Sequence, residues 1–220
     1  MKTWTEDNPK AGLMQRKRTA IIDAARRSFL DSGYAQTSMD RIAEVAGVSI
    51  KTVYRHFQNK DDLFSAVMQA ACANAPQGIH SSSPEAGAKM YPWFDKPPRT
   101  ALAMAGADYL RHILSDEQIA LYRVVTRDAR DFPELARRYH EEVILKRNRD
   151  FAEYLNHWRR SEKWKLKAPE RAADIFAALL RAGIFEEALH GIHTPDEAEI
   201  SARVRTATSC MLTLLEKGCV

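Results

Sequence analysis

The chain has 220 residues, 45% of them hydrophobic and 28% charged, a balance that excludes a disordered, collagenous or disulfide-scaffold protein. A compact chain of this length hides roughly 70% of its unfolded surface, enough for a real core. The net charge of +4 is unevenly placed: residues 1–60 hold 11 Lys+Arg against 6 Asp+Glu, and residues 61–220 hold 22 against 23.

A basic end on a near-neutral body points to a polyanion partner for that end alone, although a solvated face would have the same composition. The longest stretch free of Asp, Glu, Lys and Arg, Leu63 to Pro84, contains Ser65, Gln69, Asn74, Pro76 and three consecutive serines, so it does not suit a bilayer. Lys2 is followed by Glu6 and Asp7 where a signal peptide needs apolar residues. A cytoplasmic protein without a membrane partner is expected. Cys72, Cys210 and Cys219 are odd in number and lack C-x-x-C spacing, so buried or incidental thiols are expected rather than disulfides or zinc ligands.

Residues 1–15 read as a polar, mobile arm. The stripe Ile21, Ala25 and Phe29, widened by Ile22, predicts a first helix over about Gln15 to Ser32, with Gly33 as its stop. Thr37 is the expected cap of a short second helix with Met39, Ile42, Ala43 and Ala46 inside. Gly47 turns the chain, Ser49 caps a third helix anchored by Val53 and Phe57, and Asp61 and Asp62 favour the start of a longer fourth. Residues 76–98 carry five prolines and read as a loop or partly disordered connection. Helical periodicity then predicts helices near 99–115, 117–130, 133–159, 169–191 and 196–217. The fold class is all-α, with about nine helices: an arm over 1–15, a DNA-binding domain over 16–62 and a larger helical domain over 63–220.

Residues Ser38 to Phe57, SMDRIAEVAGVSIKTVYRHF, place two short helices around Gly47-Val48-Ser49, with Ala43, Val48 and Val53 spaced to pack between them. This is a helix-turn-helix pattern, whose second helix enters the major groove of DNA. The flanking residues sharpen it. I-A-x-x-A-G-V-S from Ile42 to Ser49, T-V-Y-R-H-F from Thr52 to Phe57, then Lys60 and Leu63, resemble the TetR/AcrR family of transcriptional repressors, as do Ala24-Ala25, Phe29 and Gly33-Tyr34 before them. The close resemblance covers about residues 16–68, and a weaker one continues from Leu121 to Glu142.

The resemblance implies named DNA contacts. Ser49, Ile50, Lys51 and Thr52 would open the recognition helix, Lys51 donating to guanine O6/N7 and Ile50 and the Thr52 methyl meeting a thymine methyl. Tyr54, Arg55, His56 and Lys60, with Ser38 and Arg41 from the second helix, would face the phosphate backbone. Packing for Tyr54 and a solvated face for Arg55 are the plainer alternatives. Many relatives carry glycine where this chain has Lys51, which puts the base sequence read in doubt. The Arg16-Lys17-Arg18 cluster would either enter a minor groove or solvate a helix start.

The expected helix 169–191 carries two apolar stripes and helix 196–217 one, at alternating steps of four and three, and the resemblance implies a homodimer built on them, with Phe176, Leu179, Val204, Met211 and Leu214 at the interface. Burial within the protomer is the competing account. An effector pocket is expected among Met104, Tyr109, Tyr122, Phe151, Tyr154, Trp158 and Phe185, although aromatics at helical spacing also build cores. No catalytic residue, metal site or cofactor is expected: His140-Glu141-Glu142 lacks the second histidine of H-E-x-x-H, His190 and His193 lack a third ligand, and no Gly-rich phosphate loop occurs. The expected function is a ligand-responsive transcriptional regulator, a repressor that binds a palindromic operator on double-stranded DNA as a homodimer and is released by a small organic effector. An effector-independent architectural DNA-binding protein, or an activator of the same fold, is the alternative.

Overall fold

The computed structural model describes residues 9–73 and 91–220. Residues 1–8 of the expected arm and residues 74–90 of the proline-rich connection lie outside them. All regular structure among the described residues is helical: α1 (Pro9–Gln36), α2 (Met39–Ala46), α3 (Ile50–His56), α4 (Lys60–Ala73), α5 (Pro98–Ile113), α6 (Asp116–Asp128), α7 (Pro133–Tyr139), a π-helical stretch (His140–Leu145), α8 (Lys146–Trp158), α9 (Pro169–Arg181), α10 (Ile184–His190) and α11 (Glu197–Lys217).

Several boundaries differ from the sequence reading. Residues 9–15, expected in the arm, are the first turns of α1, with Pro9 in the position where its missing N–H costs nothing. The cap of α2 is Ser38, whose side chain accepts from the Arg41 N–H, and not Thr37. Thr37 is buried and its hydroxyl donates to the carbonyls of Gly33 at 2.7 Å and Ser28 at 3.1 Å, tying down the end of α1. The single helix expected over 133–159 is interrupted by the π-helical stretch, none of whose residues is buried. The helix expected over 169–191 breaks at Ala182, which leaves the helical region at ψ 107°, and α10 begins after Gly183.

The chain packs as two compact units, Met1–Ala70 with Ala120–Tyr139, and Ala71–Ile119 with His140–Val220. The first is discontinuous for a physical reason. Phe29, Tyr34 and Phe64 form a ring cluster with centroids 5.3–5.5 Å apart, and Phe132 closes it edge-on to Tyr34 at 5.1 Å. Asp128 accepts the backbone N–H groups of Tyr34 at 2.8 Å and Ala35 at 3.2 Å. Residues 120–139, placed by sequence in the larger domain, therefore pack with the N-terminal helices.

In the second unit α5, α9 and α11 pack on one another, and α8 lies against α9. Leu102, Leu110, Tyr154, Leu155, Ala172, Met211 and Leu215 are nearly or fully inaccessible there.

Candidate nucleic-acid interface and small-molecule cavity

The helix-turn-helix is built from its caps inward. Ser38 starts α2, the left-handed Gly47 ends it with its N–H on the Ala43 and Glu44 carbonyls, and Ser49 starts α3 by accepting from the Thr52 N–H at 3.2 Å. The Ser49 and Thr52 hydroxyls also bond to each other at 2.9 Å, so the Thr52 methyl is the part left for apolar contact. Val53 and Phe57 are buried and anchor α3. Lys51 and Arg55 are exposed, Tyr54 is 54% exposed, and Ile50, Thr52 and His56 are half-buried. The apolar and polar faces of α3 are thus cleanly separated. Ser38 and Arg41 are exposed on α2, where Arg41 pairs with Glu44 at 2.7 Å.

Two expected backbone contacts have other surroundings. His56 has a buried Nε2 with no hydrogen-bond partner, and burial, reinforced by Arg55, Arg18 and Lys17, lowers its pKa and favours a neutral ring. Lys60, expected on a phosphate, is instead turned inward. Its ammonium donates to the Tyr34 carbonyl at 2.9 Å and the Thr37 carbonyl at 3.0 Å and sits 4.3 Å from the centre of the Tyr34 ring. Burial lowers its pKa, against the pull of Asp61 and Asp128. This is a correction with a simple cause: the chain leaves α1 through Thr37, and the first cation of α4 adds a charged donor to the Tyr34 carbonyl, which also accepts from the Thr37 N–H at 3.3 Å, and to the Thr37 carbonyl just past the helix end. The Tyr34 hydroxyl donates to Asp61, and burial followed by that bond raises the phenol's pKa. Within the 16–18 cluster, Arg18 lies over the Phe57 ring at 5.0 Å, at the end of α3.

The second unit contains a cavity of about 60 Å³ whose walls include Tyr91, Trp93, Tyr109, Arg147, Phe151 and Phe176. Of the seven expected pocket residues, Tyr109 and Phe151 line it. Met104 packs half-buried on the core, Tyr154 is fully buried with its hydroxyl donating to the Lys96 carbonyl, and Trp158 reaches the Phe94 carbonyl at 3.5 Å. Phe185 lies under the Arg181 guanidinium at 4.4 Å, and Tyr122 belongs to the first unit, against Tyr139. Sequence reasoning missed Tyr91, Arg147, Asn148 and Asp150. The available signal was Asn148, a polar residue 6% exposed at a position of α8 that the stripe Phe151, Ala152 and Leu155 would fill with an apolar side chain.

The expected interface residues pack on the protomer's own core to different degrees. Phe176, Val204 and Met211 are 4%, 5% and 0% exposed within the protomer, and Leu179 and Leu214 are half-buried against the same core. Both α9 and α11 spend these stripes on intrachain neighbours.

Residues 21–67 match the profile of bacterial regulatory proteins of the tetR family, and residues 100–214, more than half of the chain, match the C-terminal domain of AefR-like transcriptional repressors. The chain belongs to the TetR family. It is therefore a DNA-binding transcriptional regulator rather than an enzyme.

Among curated proteins it is 38% identical over 66 residues to the transcriptional activator FasR of Mycolicibacterium smegmatis, 30% of each chain. It is 43% identical over 56 residues to the transcriptional regulator TtgR of Pseudomonas putida, 26% of this chain and 27% of TtgR. The match thus spans less than a third of either relative. A TetR-type neighbour among solved structures, the flavonoid-responsive regulator FrrA, is 27% identical with a TM-score of 0.72, over 90% of this chain and 96% of its own. No helix among the described residues of this TetR-family chain is long and apolar enough to cross a membrane.

Proposed function

We propose that this TetR-family regulator is a repressor that binds a palindromic operator as a homodimer and is released by a small organic ligand. The observation that carries the reading is the display of α3: Val53 and Phe57 hold it from beneath while Lys51, Tyr54 and Arg55 stand in solvent on the basic part of the chain. Lys51 is the base-reading cation, with Ile50 and the Thr52 methyl beside it, and Ser49 holds the helix start. Tyr54, Arg55, Ser38 and Arg41 position the backbone, with His56 as an uncharged donor. Exchanging the exposed Arg41–Glu44 pair for a phosphate costs little, because such pairs contribute at most about 1 kcal/mol.

Footprinting on genomic fragments that include the protein's own promoter should protect a palindrome whose half-sites are about one helical turn, roughly 34 Å, apart. Absence of any protected site overturns the reading. Lys51→Ala should cost about 1–3 kcal/mol per half-site and relax base preference at one position. Lys60→Met should instead lower the melting temperature, because the Tyr34 and Thr37 carbonyls each lose a charged donor, and leave the affinity of the folded fraction unchanged. Titrations at two salt concentrations, alongside thermal melts, separate the two.

The dimer face proposed is the outward side of α11, where Ala202, Thr206 and Cys210 are exposed at a spacing of four. Thr206→Arg should give a monomer by light scattering with a folded helical spectrum and greatly weakened operator binding. An unchanged dimer moves the interface elsewhere.

An activator using the same interface is the second reading, favoured by the similarity to the activator FasR. Transcription in vitro from the protected promoter, with and without protein, decides between them. The proposed ligand site is the cavity of the second unit. Ligand and operator must weaken each other by one common factor, typically 5- to 150-fold.

A further inference from the structure

The cavity just assigned to the effector is chemically more specific than a generic apolar pocket. Its room of about 60 Å³ is smaller than the roughly 150 Å³ of a cavity that encloses benzene, so a single flat ring suits it better than a fused ring system. Its walls are flat. Tyr91 and Trp93 stack at 4.6 Å, Phe151 and Phe176 stack at 5.3 Å, and Trp93 meets Phe151 edge-on at 6.0 Å.

One charged group in this wall is held by neutral partners. Arg147 donates through Nε and Nη2 to the Asn148 side-chain oxygen at 3.1 and 2.7 Å, and through Nη1 to the Tyr109 hydroxyl at 2.9 Å. Its guanidinium also lies 4.9 Å from the Tyr109 ring centre. Among the described residues no carboxylate pairs with it. These contacts fix the orientation of the fork without neutralising it, and leave one N–H on each terminal nitrogen.

Of the acids nearby, Asp150 stands in the same wall but is already bonded to other groups, and Asp174 lies outside the wall. Asp150 accepts from the Tyr91 hydroxyl at 2.6 Å and from Lys146 at 3.2 Å, and Asp174 is exposed and reaches the site only through the Asn148 amide at 3.4 Å. A half-buried, oriented and uncompensated guanidinium beside aromatic walls matches one chemistry, since a carboxylate accepts from such a fork with charge assistance and a benzene ring fills the flat space. Resting on the effector reading of this cavity, we propose that it takes a single-ring aromatic carboxylate, with Arg147 as the residue that selects the negative charge.

Calorimetric titration of the full chain tests this with benzoate, its neutral isostere benzamide, and cyclohexanecarboxylate. Benzoate should bind at least tenfold more tightly than either of the others. Arg147→Met, which keeps the apolar stem, should weaken benzoate binding about 10- to 100-fold while changing benzamide binding less than threefold, and Arg147→Lys should restore part of the loss. Far-ultraviolet circular dichroism of the unliganded variants verifies folding, and the wild-type comparison of the three probes stands without any variant. Equal binding of benzoate and benzamide, equal binding of benzoate and cyclohexanecarboxylate, or no binding of benzoate overturns the proposal. Arg147-dependent benzoate binding that leaves operator affinity unchanged upholds the ligand class and overturns the effector role of the cavity.

Discussion

Replacing Gly33 with alanine is expected to lower the stability of the DNA-binding unit by about 2–3 kcal/mol and its melting temperature by roughly 8–24 °C. Gly33 has φ 85° and ψ 171°, a conformation that side chains with a Cβ avoid, and there it kinks α1 just before Tyr34. A Cβ at this position would lie 1.4 Å from the Arg127 Nη2. The tip of Arg127 can move, but moving it breaks the bonds at 2.9 and 3.2 Å that Arg127 makes to Asp128. Backbone strain is therefore the part that remains after relaxation. The gain from a stiffer unfolded chain, about 0.4–1 kcal/mol, offsets only a fraction of it. A thermal melt of Gly33→Ala that superimposes on the wild type would contradict the conformation assigned to this residue.

Asp128→Ala should be at least as damaging, at about 2–4 kcal/mol, because it leaves the N–H of the buried Tyr34 and that of Ala35 without an acceptor. Arg127, whose side chain is 57% exposed, loses little by returning to water. The same carboxylate predicts a pH dependence. The Arg127 hydrogen bond, followed by those from the Ala35 and Tyr34 amides, holds the Asp128 pKa below its ordinary value against the opposing effect of burial. Its contribution is therefore complete above the ordinary carboxylate value of about 3.9 and is lost as pH falls through the depressed folded-state value. Urea denaturation from pH 7 down to pH 2 should show wild type and Asp128→Asn converging at the acid end and separating as pH rises. Parallel curves throughout would mean that Asp128 does not bind its proton differently in the two states.

Both predictions concern the place where Asp128, Phe132 and Lys60 converge on the end of α1. None of these three was assigned that role by sequence. Lys60 reads as a phosphate ligand because its position in the motif and its charge are local facts. Its two carbonyl partners, Tyr34 and Thr37, lie 26 and 23 residues earlier, and no periodicity reports them. Asp128 and Phe132 read as part of a distant helical domain because nothing in composition marks a return of the chain across more than 90 residues.

What the sequence by itself determined is therefore local: the helix-turn-helix of α2 and α3, the left-handed turn at Gly47, the Ser49 cap, the inward face of Val53 and Phe57, the exposure of Lys51, and the all-helical class. Each follows from spacing within one or two helical turns, where cap chemistry and the 3.6-residue period act directly on neighbouring residues. Only the tertiary structure decided which of two apolar stripes meets a neighbour in the same protomer, so that Phe176, Val204 and Met211 became core. It also decided which aromatics meet a cavity rather than one another, and where Arg147 finds Tyr109, 38 residues away. Apolar burial is non-directional and nearly indifferent to partner, so a stripe records that a side chain will be covered without recording by what.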